Sequence, residues 1–107
     1  MTVLCGASAY EEKYYFNPAF QALPSEIQEE LRVISILFVD EIGGVFLMEF
    51  DGDGTLRFET SARDSDYNYD EIGAGLMVRE IRSSRREMLA SLELFYKAVF
   101  LGEADIE

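Results

Sequence analysis

The sequence predicts a small α+β domain, in which an antiparallel sheet of three or four strands packs against two helices. Two apolar runs with strand alternation flank a glycine-rich turn, which indicates a β-hairpin over residues 45–60. Apolar residues at helical spacing indicate a helix over residues 25–42 and a long C-terminal helix over about 69–101. A chain of 107 residues is expected to form one domain, residues 1–107.

Two strands are predicted before the first helix. Val3–Cys5 indicates a short strand, and the tyrosine-rich stretch after it indicates a second one. Tyr10, Tyr14 and Phe16 would lie on one face of that second strand, because side chains alternate between faces at a period of two residues.

The helix over residues 25–42 has recognisable ends. Ser25 is followed three residues later by Gln28, which matches the capping-box pattern, and Gly43 can adopt the left-handed conformation that ends a helix. The run 33–39 is apolar at nearly every position and resembles a buried strand as well. The length of the pattern and the predicted cap favour the helix.

The face pattern of the hairpin fixes its register. Residues directly opposite each other on paired strands share a face, so Phe50 should pair with Leu56, and Met48 with Phe58. This register leaves a three-residue loop, in which Gly54 supplies the positive φ of a bulge.

The long C-terminal helix is predicted with Asn68 as its N-cap and Gly102 as its stop. Its apolar residues alternate at spacings of four and three, which is typical of a heptad-like seam. The members of this seam are Ala74, Val78, Ile81, Arg85, Met88, Leu92, Phe95 and Val99. A continuous helix of about 32 residues would be about 48 Å long, more than a domain of this size can cover. Either another chain packs on the seam, or the helix breaks near residues 73–75 or 83–84.

Four arginines, Arg79, Arg82, Arg85 and Arg86, lie within eight residues of an otherwise acidic chain. The chain has 21 Asp and Glu against 9 Lys and Arg, a net charge of −12. In a helix, none of the four arginines has an acidic residue three or four positions away. Three of them would form a ridge opposite the seam, whereas Arg85 lies at the seam's edge and needs a partner.

Three interpretations of these arginines remain open. They project into solvent, or they bind a phosphate or carboxylate ligand, or they dock against carboxylates within the chain or across a dimer. The acidic residues considered for docking are Asp64, Asp66, Asp70 and Glu71. No glycine-rich phosphate loop accompanies the arginines, which counts against the ligand.

The residue types present exclude several kinds of catalytic and metal site. The chain has no histidine, so it has no Ser–His or Cys–His catalytic pair and no histidine metal site. A single cysteine, Cys5, cannot build a thiolate zinc site. The sequence Asp51-Gly52-Asp53-Gly54 matches only part of a calcium loop, because Ala62 stands where an EF-hand needs glutamate. We expect no enzyme activity, no cofactor and no metal.

The charge and the hydropathy pattern limit the classes of partner that the protein is expected to bind. A net charge of −12 argues against nucleic acid and against anionic membrane surfaces. No stretch approaches the ~20 apolar residues of a membrane-spanning helix, and the N-terminus lacks the basic region of a signal peptide. We therefore expect a cytoplasmic protein.

Five segments of the chain form a recognisable set: Leu4–Ala7, Ala9–Glu11, Lys13–Asn17, Tyr69–Gly73 and Leu92–Tyr96. Together they resemble a family of small acidic proteins of unknown function from anaerobic Gram-positive bacteria. The resemblance covers nearly the whole chain and implies a bacterial cytoplasmic protein. It implies no activity, ligand or catalytic residue.

From the residues we predict a non-catalytic interaction or adaptor module whose partner is a second copy or another protein. The expected homodimer uses the long C-terminal helix. The alternative is a regulatory sensor that binds a small anionic ligand at Arg79, Arg82, Arg85 and Arg86.

Overall fold

In a computed structural model, the structure describes residues 1–103 and forms the predicted α+β fold. Four antiparallel strands make one sheet in the order β2-β1-β3-β4, and the helices pack on one of its faces. The strands are β1 Thr2–Ser8, β2 Lys13–Phe16, β3 Val45–Phe50 and β4 Leu56–Ser61. The helices are α1 Ser25–Glu41, α2 Glu71–Ser84 and α3 Arg86–Val99, with a short 3-10 helix at Pro18–Phe20.

The hairpin of β3 and β4 has the predicted register. Phe50 pairs with Leu56, and Met48 pairs with Phe58. Gly54 has a φ of +90°, as the three-residue loop requires. The alternation of apolar and polar residues therefore decided which face of the hairpin meets the core.

The core lies between the sheet and the helices. Phe46, Met48 and Phe50 are fully buried on the helix-facing side of β3, as the period of two requires. Further residues that pack with them are Leu4 and Cys5 from β1 and Leu31, Ile34 and Phe38 from α1. Aromatic stacking concentrates at one end, where Phe20 and Tyr96 both pack against Phe50.

Both predicted N-caps are wrong, although both helices begin within three residues of the expected position. Pro24 caps α1 without a side-chain hydrogen bond, because its carbonyl already accepts the first helical N–H groups and Ser25 becomes the first helical residue. The amide of Gln28 instead donates to backbone carbonyls of the preceding turn. In α2 the cap is Asp70, whose Oδ1 accepts from the N–H of Gly73 at 2.8 Å, in place of the predicted Asn68.

Tyr10 does not share a strand with Tyr14 and Phe16. It lies in the turn before β2, where Glu12 has a φ of +53°. The Tyr10 hydroxyl donates to Asp66 at 2.6 Å, so the ring links this turn to the loop before α2.

The C-terminal helical segment is two helices that meet at Arg85. Arg85 has φ −122° and ψ +33°; its N–H donates to Ile81 at 3.0 Å, and its carbonyl accepts from Leu89 at 3.0 Å. A single helix over about 69–101 is therefore wrong, and the break follows one of the two positions where it was expected, residues 83–84. Serine pairs form helices poorly, and the neighbouring arginines repel one another.

Candidate interaction surface on the C-terminal helices

Arg85 finds its partner on α1. Its Nε donates to Glu30 Oε2 at 2.5 Å, and a second guanidinium nitrogen lies 3.1 Å from Ser84 Oγ. The two side chains of this ion pair are 30% and 40% exposed, which indicates a partly solvated contact. The pair ties the junction between α2 and α3 to α1.

Arg82 lies over an aromatic ring of the sheet. Its guanidinium carbon is 4.5 Å from the centroid of the Phe58 ring, which is a cation–π geometry. The ring covers the flat face of the guanidinium and leaves the N–H groups at its edge free to donate to acceptors.

Arg79, Arg82 and Arg86, which we call the arginine ridge, are exposed. Within residues 1–103, none of the three forms an ion pair. The ridge is thus the part of the predicted arginine cluster that has no carboxylate partner in the described chain, whereas Arg85 is paired.

The acidic residues considered as docking partners do not meet the arginines within residues 1–103. Asp66 accepts the Tyr10 hydroxyl, and Asp70 caps α2. Glu71 is exposed in the first turn of α2. Sequence reasoning missed Glu30, because the packing of α1 against the α2–α3 junction is a tertiary contact that no local pattern encodes.

Small-molecule sites are usually cavities of about 300–1,000 Å³. A cavity of ≈ 600 Å³ lies beside the junction of α2 and α3. Its charged lining residues are Glu26, Glu30, Glu87, Arg85 and Arg86. Three carboxylates against two guanidinium groups give this cavity no excess positive charge. The cavity therefore offers little selectivity for an anion.

The outer face of α2, defined by Ile72, Leu76, Arg79 and Ser83, points away from the core. Ala74 and Ile81 are the buried residues of this helix, and at 100° per residue the four outer residues fall on the opposite side. Ile72 is 79% exposed and Leu76 is 58% exposed. Two large apolar side chains one turn apart are thus left to solvent beside the arginine ridge.

Helix α3 has an outer apolar residue as well, but its inner face is firmly attached. Leu94 is 69% exposed, whereas Leu89, Leu92 and Tyr96 are buried. Glu93 Oε2 accepts the N–H of Leu56 at 2.8 Å, which joins α3 to the start of β4.

The single thiol is unsuited to nucleophilic chemistry. Cys5 is fully buried, and its Sγ lies 3.7 Å from Ser35 Oγ. Burial raises the pKa of Cys5 to about 11, so the thiol stays protonated at neutral pH. Among residues 1–103, no group of three or more His, Cys, Asp or Glu could hold a metal ion.

The hairpin loop uses its carboxylates to hold the turn. Asp51 Oδ1 accepts the N–H groups of Asp53 and Thr55, and Asp51 Oδ2 accepts Arg57 Nε at 2.8 Å. A side-chain hydrogen bond with Asp53 is the largest cause that lowers the pKa of Asp51, to about 2, and burial opposes it. The loop is therefore a hydrogen-bonded turn, as the sequence favoured over a calcium loop.

Comparison with known proteins identifies a family. A family model described as a family of unknown function, DUF6145, matches residues 1–104. The chain belongs to the DUF6145 family. No curated protein and no solved structure matches the chain. In the described part of this DUF6145 chain, every helix is too short or too polar to span a bilayer.

Proposed function

We propose that this DUF6145 chain is a non-catalytic protein-interaction module of the bacterial cytoplasm, which acts as a homodimer through its C-terminal helices. The observation that carries the proposal is the exposure of large apolar residues on the outer sides of α2 and α3. Ile72, Leu76, Leu94 and Val99 are 58–79% exposed. Isolated exposed apolar residues are common on monomers, but a concentration of them along one helical segment is typical of an interaction surface.

Burial of apolar side chains on both copies favours a twofold assembly. Full burial of one leucine or isoleucine side chain contributes about 1.5–3 kcal/mol. In a twofold interface each residue is buried twice, so a few side chains per copy contribute to offsetting the cost of association, about 4–15 kcal/mol. A second copy supplies such a matching apolar surface without any other partner.

Particular residues support the proposal of a non-catalytic role. The chain has no histidine, and its only thiol is buried and protonated. The carboxylates of Asp51 and Asp53 are taken up by the hairpin turn, and Glu93 by the N–H of Leu56. Carboxylates held in this way are unavailable as a general acid–base pair.

Sedimentation equilibrium over a wide range of protein concentration tests the proposal. We expect the mass to rise with concentration from 12.2 kDa towards twice that value. A mass of 12.2 kDa at every protein concentration would contradict the homodimer.

The second candidate is a sensor that binds a small anion. It is favoured by the arginine ridge, which has no carboxylate partner within residues 1–103. It predicts that inorganic phosphate raises the temperature of thermal unfolding, and that a variant with Arg82→Glu and Arg86→Glu loses this rise. If the same variant changes the oligomeric state and phosphate has no effect on either protein, the homodimer is the better account.

A further inference from the structure

We propose that the groove between α1 and α2 binds a basic amphipathic helix of another protein. The binding of such a helix goes beyond the proposed homodimer, because it requires only one copy of the chain. The groove lies on the side of α2 that faces α1. Its apolar floor and its charged rim each restrict what can occupy it.

The groove forms because α1 and α2 lie side by side in opposite directions. At one end, Arg85, which follows α2, pairs with Glu30 in the first half of α1. At the other end, Ile42 after α1 and Gly73 in the first turn of α2 line one cavity of ≈ 450 Å³. This cavity has the volume of a ligand site, and helices form its walls.

The floor of the groove is apolar. Ile42 and Met77 are partly buried and pack against the core, and Leu76 lies beside them with 58% of its surface exposed. Leu37 is 51% exposed and lies four residues before Glu41, on the same side of α1. Apolar surface therefore continues from the cavity along α1, farther than a single small ion would cover.

The rim of this cavity carries negative charge. Glu41, Asp70 and Glu80 line it, and none of its lining residues in the described chain is basic. The cavity beside Arg85 differs, because two guanidinium groups offset its three carboxylates. A further cavity beside β2 includes Lys13 in its lining. Of these three cavities, the one between α1 and α2 is therefore the one in which a cationic partner meets no like charge.

The end of α1 gives a second reason for a cation. Its last turn carries Asp40 and Glu41 and no basic residue, although the C-terminus of a helix favours positive charge. The first turn of α2 lies beside it with the opposite dipole, but Asp70 and Glu71 already balance that end. A lysine or arginine from a partner would thus stabilise a helix end to which α1 itself brings no counter-charge.

Two observations favour a basic helix over other cationic partners. Among residues 1–103, no three carboxylates are placed to hold a metal ion, so the rim suits positive charges spread over several side chains. The walls are helices that bond their own backbone groups, so they offer no edge to an extended strand. An amphipathic helix satisfies its own backbone, places apolar residues on the floor and extends lysines or arginines to the rim.

A model peptide tests the floor and the rim together. The probe is a synthetic helix of leucine and lysine with its leucines at spacings of three and four, and the control peptide has serine in place of every leucine. We expect the leucine–lysine peptide to bind the unmodified protein at least ~10-fold more tightly than the control, in calorimetric titrations at physiological salt. Equal affinities, or no binding of either peptide, would contradict the proposal.

Matched charge variants test the position of binding, because a chain of net charge −12 attracts any basic peptide. The rim variant, Glu41→Gln with Glu80→Gln, removes two carboxylates from the groove. The control variant, Glu11→Gln with Glu59→Gln, removes two exposed carboxylates elsewhere. We expect the rim variant to weaken binding of the leucine–lysine peptide at least ~10-fold and the control variant less than ~2-fold. Equal losses would mean diffuse attraction and overturn the proposal.

Charge reversal tests whether the rim selects the partner. A variant with Glu41→Lys and Glu80→Lys should lose the leucine–lysine peptide and bind instead a peptide in which glutamate replaces each lysine. Unchanged binding of the leucine–lysine peptide by this variant would contradict the assignment of the rim. Circular dichroism of each variant checks that the fold is retained.

Sedimentation equilibrium of the rim variant distinguishes a separate partner from a second copy in the groove. An unchanged dissociation constant of the homodimer supports the separate partner. A homodimer weakened as much as peptide binding would place a second copy in the groove and overturn the proposal. If the unmodified protein is a monomer at every concentration, the homodimer is wrong, and the peptide measurements alone decide whether the groove binds a basic helix.

Discussion

Helices α2 and α3 have the same length, 14 residues each, but they are attached to the domain by different means. Helix α3 contributes Leu89, Leu92 and Tyr96 to the core, and Tyr96 stacks on Phe50 with ring centroids 4.2 Å apart. Helix α2 contributes two buried residues, Ala74 and Ile81, and its Met77 and Val78 pack against the core while only partly buried. The polar links follow the same division, since α3 bonds to both β1 and β4 through Tyr96 and Glu93.

The difference indicates that the two helices of this segment have different roles. A helix that buries its inner face against aromatic rings is fixed by the domain itself. A helix that buries two residues and exposes Ile72 and Leu76 gains more from a partner. The break at Arg85 separates the two helices at the point where these two kinds of attachment meet.

The largest effect on stability is expected from Phe20→Ala, which removes the ring that stacks on Phe50 and on Tyr96 of α3. Phe20 is fully buried, so the substitution should lower the free energy of unfolding by about 3–5 kcal/mol. Denaturant unfolding measures this loss. Hydrogen exchange should show that amides of α3 lose more protection than amides of α2, and an equal loss in both helices would contradict the division.

An intermediate effect is expected from Glu30→Gln, which removes the carboxylate that pairs with Arg85. Both side chains are partly exposed, so the free energy of unfolding should fall by only about 0.2–1 kcal/mol. The dissociation constant of the dimer should stay unchanged, because Arg85 lies outside the outer face of α2. Denaturant unfolding and sedimentation on the same variant check both statements.

The smallest effect is expected from Asp51→Asn, in the turn that packs beside α3 through Gly54 and Lys97. The pKa of Asp51 is lowered from 3.8 to about 2 in the folded chain, so its charged form stabilises the fold. This contribution is fully present above about pH 4 and is lost as the pH falls towards 2. The variant should therefore lose less stability than the unmodified protein between those pH values in denaturant titrations.

Local patterns were sufficient to predict the hairpin of β3 and β4 and the extent of α1. The alternation in β3 and β4 fixed the register of Phe50 with Leu56, because a shift of one residue would expose every core side chain. The caps were mispredicted because Pro24 and Asp70 compete with the neighbouring Ser25 and Asn68 for the same role, and the competition depends on the path of the preceding turn.

Contacts between elements could not be read from the sequence. The pairing of Arg85 with Glu30 and the position of Arg82 over Phe58 depend on how α1 and β4 lie beside α2. The sequence did indicate that Arg85 needs a partner, since it interrupts an apolar seam. It did not indicate which of the 21 acidic residues would supply one.

Disulfide formation between two copies at position 76 tests most directly whether α2, rather than α3, contacts a second copy. In a Cys5→Ala background, Leu76→Cys places one thiol per chain on the outer face of α2, and Ser91→Cys places one on the exposed side of α3. A disulfide needs Cα atoms within about 7 Å. Mild oxidation should link the Leu76→Cys variant into a covalent dimer and leave the Ser91→Cys variant as single chains. Rapid linkage of the Ser91→Cys variant, with none of the Leu76→Cys variant, would contradict the account.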